Sequence, residues 1–349
     1  MTAAVLTAGL VTSGAVQALS GGTEVPQNTY PWLARVSSPT AACTGSLVAP
    51  QWVLTAKRCA PQQVSVAGRT VGVAKIVDRD DRDVALVELQ VPVVTVAPVV
   101  LGAAPLQGEA LRVAGFGRTA TEWVPDRPRT ALFTVTATTA TTALVTGNDG
   151  ADTCKGDAGG PAFREVNGTA QLVGLSSTSW QHGCLAVAET RQGSTEARVD
   201  DLGAWVQATT RAGETFVGVR SGQCIDQDYT DGQPHQRMLV FPCSSGANQK
   251  WDVEWTSANT VRLHNLLSGA CLDQDYTDGQ PHSSALAFLC HNEGNQQWQV
   301  VPNDAEGSVQ LINVLSGQCL DQEYPVGEPT MVLAVWGCNG GANQRWKFA

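Results

Sequence analysis

The chain has 349 residues, of which 43% are hydrophobic and 15% charged, a composition that is ordinary for globular proteins and excludes a largely disordered chain. Its formal net charge of −10 argues against nucleic acid or an anionic membrane as the main partner. Its ten cysteines favour disulfide bonds and an oxidising compartment, and no four of them form the compact CxxC pairs of a zinc site.

The first 18 residues, MTAAVLTAGLVTSGAVQA, form an apolar run that ends in small residues. This pattern is typical of a secretory signal peptide that is cleaved after Ala18. No Lys or Arg precedes Arg35, so the usual basic start is absent, and a truncated signal peptide is one interpretation. No other segment offers the roughly 20 apolar residues of a membrane helix. The sequence therefore predicts a secreted, extracellular protein.

Residues 19–208 contain short apolar segments between Gly, Pro and Asp turns, which predicts a mostly β domain. Trp52-Val53-Leu54 and Val84-Ala85-Leu86-Val87 are two of these predicted strands. One helix is predicted from about Asp200 to Thr210, with Asp200 or Asp201 capping its start. Residues 209–214 are then interpreted as a short linker.

Three segments of this domain carry a catalytic pattern. They are CTGSLV at 43–48 with WVLTAKRC at 52–59, DVALVEL at 83–89, and DTCKGDAGGP at 152–161. In this order they resemble the segments around the catalytic histidine, aspartate and serine of the trypsin family. GTEV at 22–25, VAGFG at 113–117 and Ser179-Trp180 extend the similarity over nearly all of residues 19–208. The resemblance implies two packed six-stranded β-barrels.

Two of the three catalytic positions depart from the family. Arg58 stands at the histidine position and Ala158 at the serine position, while Asp83 is retained. A hydroxyl nucleophile needs an imidazole as its base, and an arginine stays protonated at any ordinary pH. The resemblance therefore implies a pseudoprotease, with the N–H groups of Gly156 and Ala158 as a remnant oxyanion hole. Arg58 either pairs with Asp83 or points to solvent, two alternatives of equal weight.

Other parts of the family's substrate cleft have counterparts in this chain. Asp152 lies six residues before Ala158, where trypsin-like enzymes place the carboxylate that binds Lys or Arg side chains. The resemblance assigns Ser179 and Trp180 to the same pocket. Gln181 replaces the usual glycine at the pocket mouth, so the sequence leaves open whether the pocket is closed.

The last third of the chain repeats itself. The segments GQCIDQDYTDGQPH at 222, GACLDQDYTDGQPH at 269 and GQCLDQEYPVGEPT at 317 share one register, with periods of 47 and 48 residues. In each repeat a second cysteine follows 19 residues after the first, and a Gln-x-Trp element ends the unit. Three units that cannot bury their apolar faces alone imply a closed threefold β structure.

These elements resemble the ricin B-chain lectin family, whose fold is a β-trefoil, over residues 215–349. The resemblance implies that Trp251, Trp298 and Trp346 pack the core. The two resemblances together imply five disulfide bonds: Cys43–Cys59, Cys154–Cys184, Cys224–Cys243, Cys271–Cys290 and Cys319–Cys338.

Sugar binding requires an aromatic face for the apolar side of the ring, and fixed carboxylate and amide groups for its hydroxyls. Because all three repeats keep such a set, we favour binding over a role in which the aspartates only brace turns. The third repeat is the best single site, because its aromatic residue is a tryptophan, which offers the largest stacking surface. For the glutamines, a structural role is the alternative to contact with the sugar. The candidates are Asp226, Phe241, Asn248 and Gln249; Asp273, Phe288, Asn295 and Gln296; and Asp321, Trp336, Asn343 and Gln344.

The sequence therefore predicts an all-β protein with a two-barrel trypsin-like domain followed by a β-trefoil lectin domain. We interpret it as a secreted, monomeric carbohydrate-binding pseudoprotease that needs no metal or other cofactor. Its expected partner is a polysaccharide or glycan, with galactose- or xylose-type sugars suggested by the family, and a peptide or protein at the remnant cleft is a further candidate. The alternative is a Lys/Arg-specific serine endopeptidase directed to glycans, which requires Arg58 and Ala158 to be engineered or erroneous substitutions.

Overall fold

The computed structural model describes residues 19–211, 213–276, 278–324 and 330–349, so the predicted signal peptide at 1–18 lies outside the described residues. The described residues form 26 β-strands and one α-helix, α1 (Gly203–Thr210). The all-β prediction is therefore confirmed.

The N-terminal domain holds the first fourteen strands. They are β1 (Thr23–Glu24), β2 (Leu33–Ser37), β3 (Ala42–Ala49), β4 (Trp52–Thr55), β5 (Gln63–Val66), β6 (Arg69–Asp78), β7 (Ala85–Leu89), β8 (Val100–Leu101), β9 (Ala110–Gly115), β10 (Arg129–Thr138), β11 (Thr142–Gly147), β12 (Pro161–Val166), β13 (Thr169–Ser179) and β14 (Ser194–Arg198).

These strands close into two barrels. The first barrel has the order β2-β3-β4-β7-β6-β5, and β5 pairs back to β2. The second has the order β9-β10-β11-β14-β13-β12 and is closed by the pairing of β12 with β9, while β1 and β8 add to its outside at β10 and β13. The predicted pair of six-stranded barrels is thus confirmed.

Helix α1 begins later than the sequence suggested. Its N-cap is Leu202, and no side chain caps its first turn. Asp200 and Asp201 are instead ion-paired to Arg198 and Arg82, at 2.8 and 2.6 Å. The predicted aspartate cap is wrong because both carboxylates are engaged by guanidinium groups.

The C-terminal domain holds the remaining twelve strands. They are β15 (Phe216–Gly218), β16 (Cys224–Gln227), β17 (Met238–Phe241), β18 (Trp251–Trp255), β19 (Thr260–Asn265), β20 (Cys271–Gln274), β21 (Ala285–Phe288), β22 (Trp298–Asn303), β23 (Ser308–Asn313), β24 (Cys319–Gln322), β25 (Leu333–Trp336) and β26 (Trp346–Phe348).

Six of these strands surround the core, and three hairpins cover one end. Strands β15, β26, β23, β22, β19 and β18 pair in this order, and an antiparallel bridge between Glu214 and Trp251 joins the two ends. The hairpins β16–β17, β20–β21 and β24–β25 come one from each repeat. Trp251, Trp298 and Trp346 are fully buried, and each indole N–H donates to a backbone carbonyl of its own repeat's hairpin, as the core role predicted from the repeats requires.

The two domains contact each other directly. Arg69 on β6 makes an ion pair with Asp304 of the C-terminal domain through two of its nitrogens. Glu88 at the end of β7 shares a hydrogen bond with Glu214, and Gln51 donates to Glu88 over 3.4 Å. The interface therefore contains a pair of carboxyl groups, of which Glu88 is buried and Glu214 is half-buried.

Candidate functional site

At the centre of the N-terminal cleft, Arg58 is bound to Asp83. The Arg58 Nε atom donates to Asp83 Oδ2 over 2.9 Å, and Nη2 makes a second contact with the same oxygen. Ser177 donates to that oxygen over 2.8 Å and accepts from Arg58 Nη2, also over 2.8 Å. Of the two alternatives that the sequence left open for Arg58, the structure has the ion pair. The Asp83 carboxylate is thus engaged by a guanidinium and a hydroxyl.

Ala158 lies across the cleft from this ion pair. Its carbonyl accepts from the N–H of Thr44 over 2.9 Å, which ties the second barrel to the first. The cleft has a volume of about 410 Å³, and Arg58, Gly156 and Ala158 line it together. The disulfides Cys43–Cys59 and Cys154–Cys184 fix its two sides, and Cys43 and Cys154 both lie in its wall. The three positions that the sequence aligns with a catalytic triad therefore lie together around this cleft, and Arg58, Asp83 and Ala158 occupy them.

The four residues predicted for the specificity pocket separate in the structure. Ser179 and Gln181 line the cleft, and Gln181 accepts from Arg118 Nη2 over 2.6 Å. Trp180 lies outside it, 47% exposed and stacked on Arg191. Ser177, the serine that contacts Asp83, was not predicted from the sequence. It lies two residues before Ser179, which was predicted.

Asp152 is fully buried behind the cleft wall. Its carboxylate accepts from the N–H groups of Thr153 and His182 and from the hydroxyl of Ser194. Burial raises its pKa, and these hydrogen bonds oppose the rise. Asp152 is not among the residues that line the cleft, and both of its carboxylate oxygens are engaged by these donors. Its role in binding a Lys or Arg side chain stays a prediction.

Two further buried acids lie next to residues of the cleft: Asp157 directly precedes Ala158, and Glu196 accepts from the hydroxyl of Ser176. Asp157 accepts from the N–H groups of Gly117 and Cys154, and burial raises its pKa to about 7. Burial raises the pKa of Glu196 to about 8, and its Oε2 atom has no hydrogen-bond partner in the described structure. Both groups are therefore largely protonated in weakly acidic solution.

In the C-terminal domain, each repeat brings its aspartate and asparagine together. Asn248 donates to Asp226 over 3.0 Å, Asn295 to Asp273 over 3.0 Å, and Asn343 to Asp321 over 2.9 Å. Each aspartate is on the first strand of its hairpin, and each asparagine is in a short 3-10 turn before the core tryptophan. The same arrangement is thus built three times.

The predicted aromatic faces are exposed. Phe241, Phe288 and Trp336 are 44%, 41% and 61% exposed, at the ends of β17, β21 and β25. Asp321, Trp336 and Asn343 border a groove of about 590 Å³, and Asp273, Phe288 and Asn295 border one of about 380 Å³. An exposed ring beside a fixed carboxylate and amide is the arrangement that a sugar ring requires.

The glutamines lie behind the aspartates. Gln249, Gln296 and Gln344 are buried, and each donates to its aspartate and to a backbone carbonyl while accepting a backbone N–H. Because these amides are fully engaged, we assign the glutamines to positioning the aspartates, in line with the structural alternative. Burial raises the pKa of Asp226, Asp273 and Asp321, and the donated amide hydrogens oppose the rise.

The second repeat has a feature that the sequence analysis missed. His291 lies beside Phe288, and its Nε2 atom is 3.5 Å from Asp273 Oδ2. The equivalent positions hold Ser244 and Asn339 in the other repeats, whose backbone N–H groups likewise donate to a glutamine. The position of His291 is recognised as part of the site only when the three repeats are superimposed in space.

Within the described part of the chain, one group of side chains has metal-ligand spacing: His264 with Cys271 and Cys290. The two sulfurs are bonded to each other, so they are not thiolate ligands. The described helices include none with the length and apolar character that a membrane span requires.

Comparison with known proteins assigns both halves of the chain. The family model described as Trypsin matches residues 19–206, and the one described as Ricin-type beta-trefoil lectin domain matches residues 212–346. Snake venom serine protease CL5 of Trimeresurus stejnegeri is 30% identical over 239 residues, which cover 56% of this chain and 88% of that protein. Inactive snake venom serine proteinase 13 of Crotalus adamanteus is 29% identical over 229 residues, which cover 54% and 84%. Neuropsin, a serine protease expressed in the limbic system of mouse brain, is a solved structure with 22% identity and a TM-score of 0.47, and the match covers 54% of this chain and 98% of that one.

Proposed function

Because this chain belongs to the trypsin family and carries a ricin-type β-trefoil lectin domain after its protease fold, we propose that it is a secreted carbohydrate-binding protein without peptidase activity. The observation that carries this proposal is the threefold recurrence of one arrangement. In every repeat an asparagine holds an aspartate beside an exposed aromatic ring. Three such sites on one rigid body bind a polymer more tightly than a single site does.

The protease half supports the second part of the proposal. Ala158 has no nucleophilic atom, and Arg58 cannot accept a proton. Removal of the nucleophile or the base alone costs about 10⁶-fold in turnover in a well-studied serine protease. The five disulfides and the venom relatives support secretion, since such bonds persist in oxidising compartments.

Loss of the three aromatic rings should weaken glycan binding strongly. We expect the Phe241→Ala/Phe288→Ala/Trp336→Ala variant of the full chain to bind an immobilised galactose- or xylose-containing polysaccharide at least about 10-fold more weakly, because each ring contributes roughly 0.5–1.5 kcal/mol beyond its buried area. Affinity chromatography with soluble sugar as competitor measures this.

Trp123→Ala is the matched control, because Trp123 is 62% exposed but lies in the N-terminal domain. Its retention should equal that of the parent protein. Equal retention of the triple variant and the parent would contradict the proposed carbohydrate sites.

A further inference from the structure

The groove at the third repeat extends beyond the residues of its own sugar site. Trp336 borders the part that belongs to the third repeat, whereas Ser284 and Leu286 come from the second repeat and Arg237 from the first. The described residues that border the groove of about 380 Å³ at the second repeat all lie between 273 and 315, within that repeat. The groove of about 590 Å³ at the third repeat is thus shared by all three units.

This extension has a cause in the sequence. Residues 13 and 15 places after the first cysteine of each repeat join neighbouring hairpins through equivalent antiparallel bridges. In two of these bridges one partner is a leucine, and in the other both partners are small. Because serine and alanine fill less volume than leucine, the groove is open between the second and third repeats. The three pairs are Arg237 with Leu286, Val332 with Leu239, and Ser284 with Ala334.

The open stretch leads from the ring of Trp336 toward Arg237. Trp336 lies two residues after Ala334, and Leu286 lies two residues after Ser284. Because Ser284 and Ala334 pair antiparallel, Leu286 is on the side of this pair that faces away from Trp336. At roughly 3.3 Å per residue, the path from Trp336 to Leu286 is about 13 Å long. Arg237, the bridge partner of Leu286, stands at its far end.

Arg237 brings a positive charge to that end. It is exposed, and its side chain has no hydrogen bond or ion pair with the residues that the structure describes. Glu323 also borders the groove, but at the other end, where its charge raises the pKa of Asp321. A guanidinium binds a carboxylate through two parallel N–H bonds. The far end is therefore suited to an anionic group, although the whole chain carries a net charge of −10.

We propose that the third repeat binds a linear stretch of an acidic glycan instead of a single sugar ring. One ring stacks on Trp336, the chain continues over Ser284 and Ala334, and the carboxylate of a uronic acid further along accepts from Arg237. This inference rests on the proposed function and names the class of ligand for one of its three sites. The bulkier pairs at the other two bridges restrict this extension to the third repeat.

The test uses pairs of ligands that differ at one group. Tetrasaccharides with one glucuronic acid are prepared from glucuronoxylan and from an acidic galactan, and part of each is made neutral by reduction of the carboxyl group to a primary alcohol. The Phe241→Ala/Phe288→Ala variant of the full chain leaves the third site as the one that keeps its ring. Isothermal titration calorimetry at low salt should give at least about fivefold tighter binding of the acidic member of at least one pair, since charge-assisted hydrogen bonds are roughly twice as strong as neutral ones. Equal affinities within both pairs would overturn the proposal.

Arg237→Gln, added to the same variant, tests the far end of the groove. It should remove the preference for the acidic form. Lys347→Gln is the matched control and should keep the preference, because Lys347 is an exposed cation of the same domain that does not border the groove. A preference that survives in Arg237→Gln would contradict the assignment of the carboxylate to this residue.

Ala334→Leu tests the path between the two ends. It introduces the residue that stands at the equivalent positions 239 and 286 of the other repeats. The advantage of the tetrasaccharide over the monosaccharide should fall about fivefold or more, because the larger side chain blocks the path. An unchanged ratio, in a variant that unfolds at the same temperature as its parent, would show that the glycan does not pass over this pair.

Failure of this inference is distinguishable from failure of the proposed function. Binding of the monosaccharide and of both tetrasaccharide forms with equal affinity would overturn the acidic, extended site and leave carbohydrate binding in place. A parent chain that is retained on no polysaccharide would contradict both.

Discussion

Arg58 does more than remove a base from the cleft. Its guanidinium fills the hydrogen-bonding position on Asp83 and also contacts Ser177, so the carboxylate is neutralised and held in place. An ion pair that is half exposed contributes little to stability, typically 0.2–1 kcal/mol. The main effect of Arg58 is therefore on the chemistry of the site.

Restoring the two missing groups tests this view at single residues. We expect no hydrolysis of fluorogenic peptide amides by the parent chain above the buffer background, and hydrolysis by the Arg58→His/Ala158→Ser variant at about 10³-fold or more above that background. The reason is that Asp83 and Ser177 remain in place to orient an imidazole. Peptide amides that end in arginine and in alanine are both tested. Asp152 is buried, so a preference for a basic side chain is not assumed.

The two single variants serve as controls, because each still lacks either the nucleophile or the base. Hydrolysis by the parent would support the endopeptidase alternative. A silent double variant would show that Asp83 is not oriented as the hydrogen bonds indicate.

At the scale of elements, the repeat is the unit in which the lectin domain is both predicted and built. Its period, its cysteines and its Gln-x-Trp elements located the hairpins and the core tryptophans from the sequence, because they recur three times. The roles of Gln249, Gln296 and Gln344 were not decided in this way. The residue type does not reveal whether a glutamine side chain is buried or exposed. Only the contacts show that these three glutamines face inward.

The N-terminal elements show a different limit. The barrels followed from sequence motifs, but the serine beside Asp83 did not, because the pairing of β13 with β14 shifts register between Ser176 and Thr178. A bulge moves every later residue by one place relative to its partner strand. The burial of Asp152 and Glu196 has no pattern in the sequence either, since charged residues are seldom fully buried.

The three repeats should differ in strength. Trp336 is the most exposed of the three aromatic residues and has the largest ring system, so Trp336→Ala should weaken binding of a soluble oligosaccharide more than Phe241→Ala or Phe288→Ala does. We expect about a 10-fold loss, measured by isothermal titration calorimetry. Trp336→Phe should bring the third site to the level of the other two. Equal losses in all three alanine variants would refute this ranking.

At the scale of the whole molecule, the two domains meet at a pair of acids. Burial raises the pKa of Glu214 to about 8, and the charge of Glu88 adds to this rise. Burial also raises the pKa of Glu88, while its hydrogen bond with Glu214 opposes the rise. The two carboxyl groups therefore share a proton in neutral solution, although the unfolded chain would release it near its usual pKa of 4.5.

This difference makes stability depend on pH. The contribution of Glu214 is fully present below pH 4.5 and is lost as pH rises through about 8, because only the unfolded state has released the proton in between. We expect Glu214→Gln to be about as stable as the parent at pH 5.5 and more stable at pH 8.5, by on the order of 2 kcal/mol. Thermal unfolding at both values measures this.

Glu122→Gln, at an exposed position of the N-terminal domain, should show no such difference between the two pH values. A Glu214→Gln variant with the same thermal stability as the parent at both pH 5.5 and pH 8.5 would show that the carboxyl pair does not titrate as its burial requires.

The ion pair between Arg58 and Asp83 also has an evolutionary consequence. Under the proposed function, a return to peptide hydrolysis needs two replacements, since histidine at 58 finds no hydroxyl to activate, and serine at 158 faces a guanidinium instead of a base. Neither replacement alone offers selection any gain in cleavage. The first step back would have to become fixed by drift, and a lineage that has lost both groups tends to stay where it is.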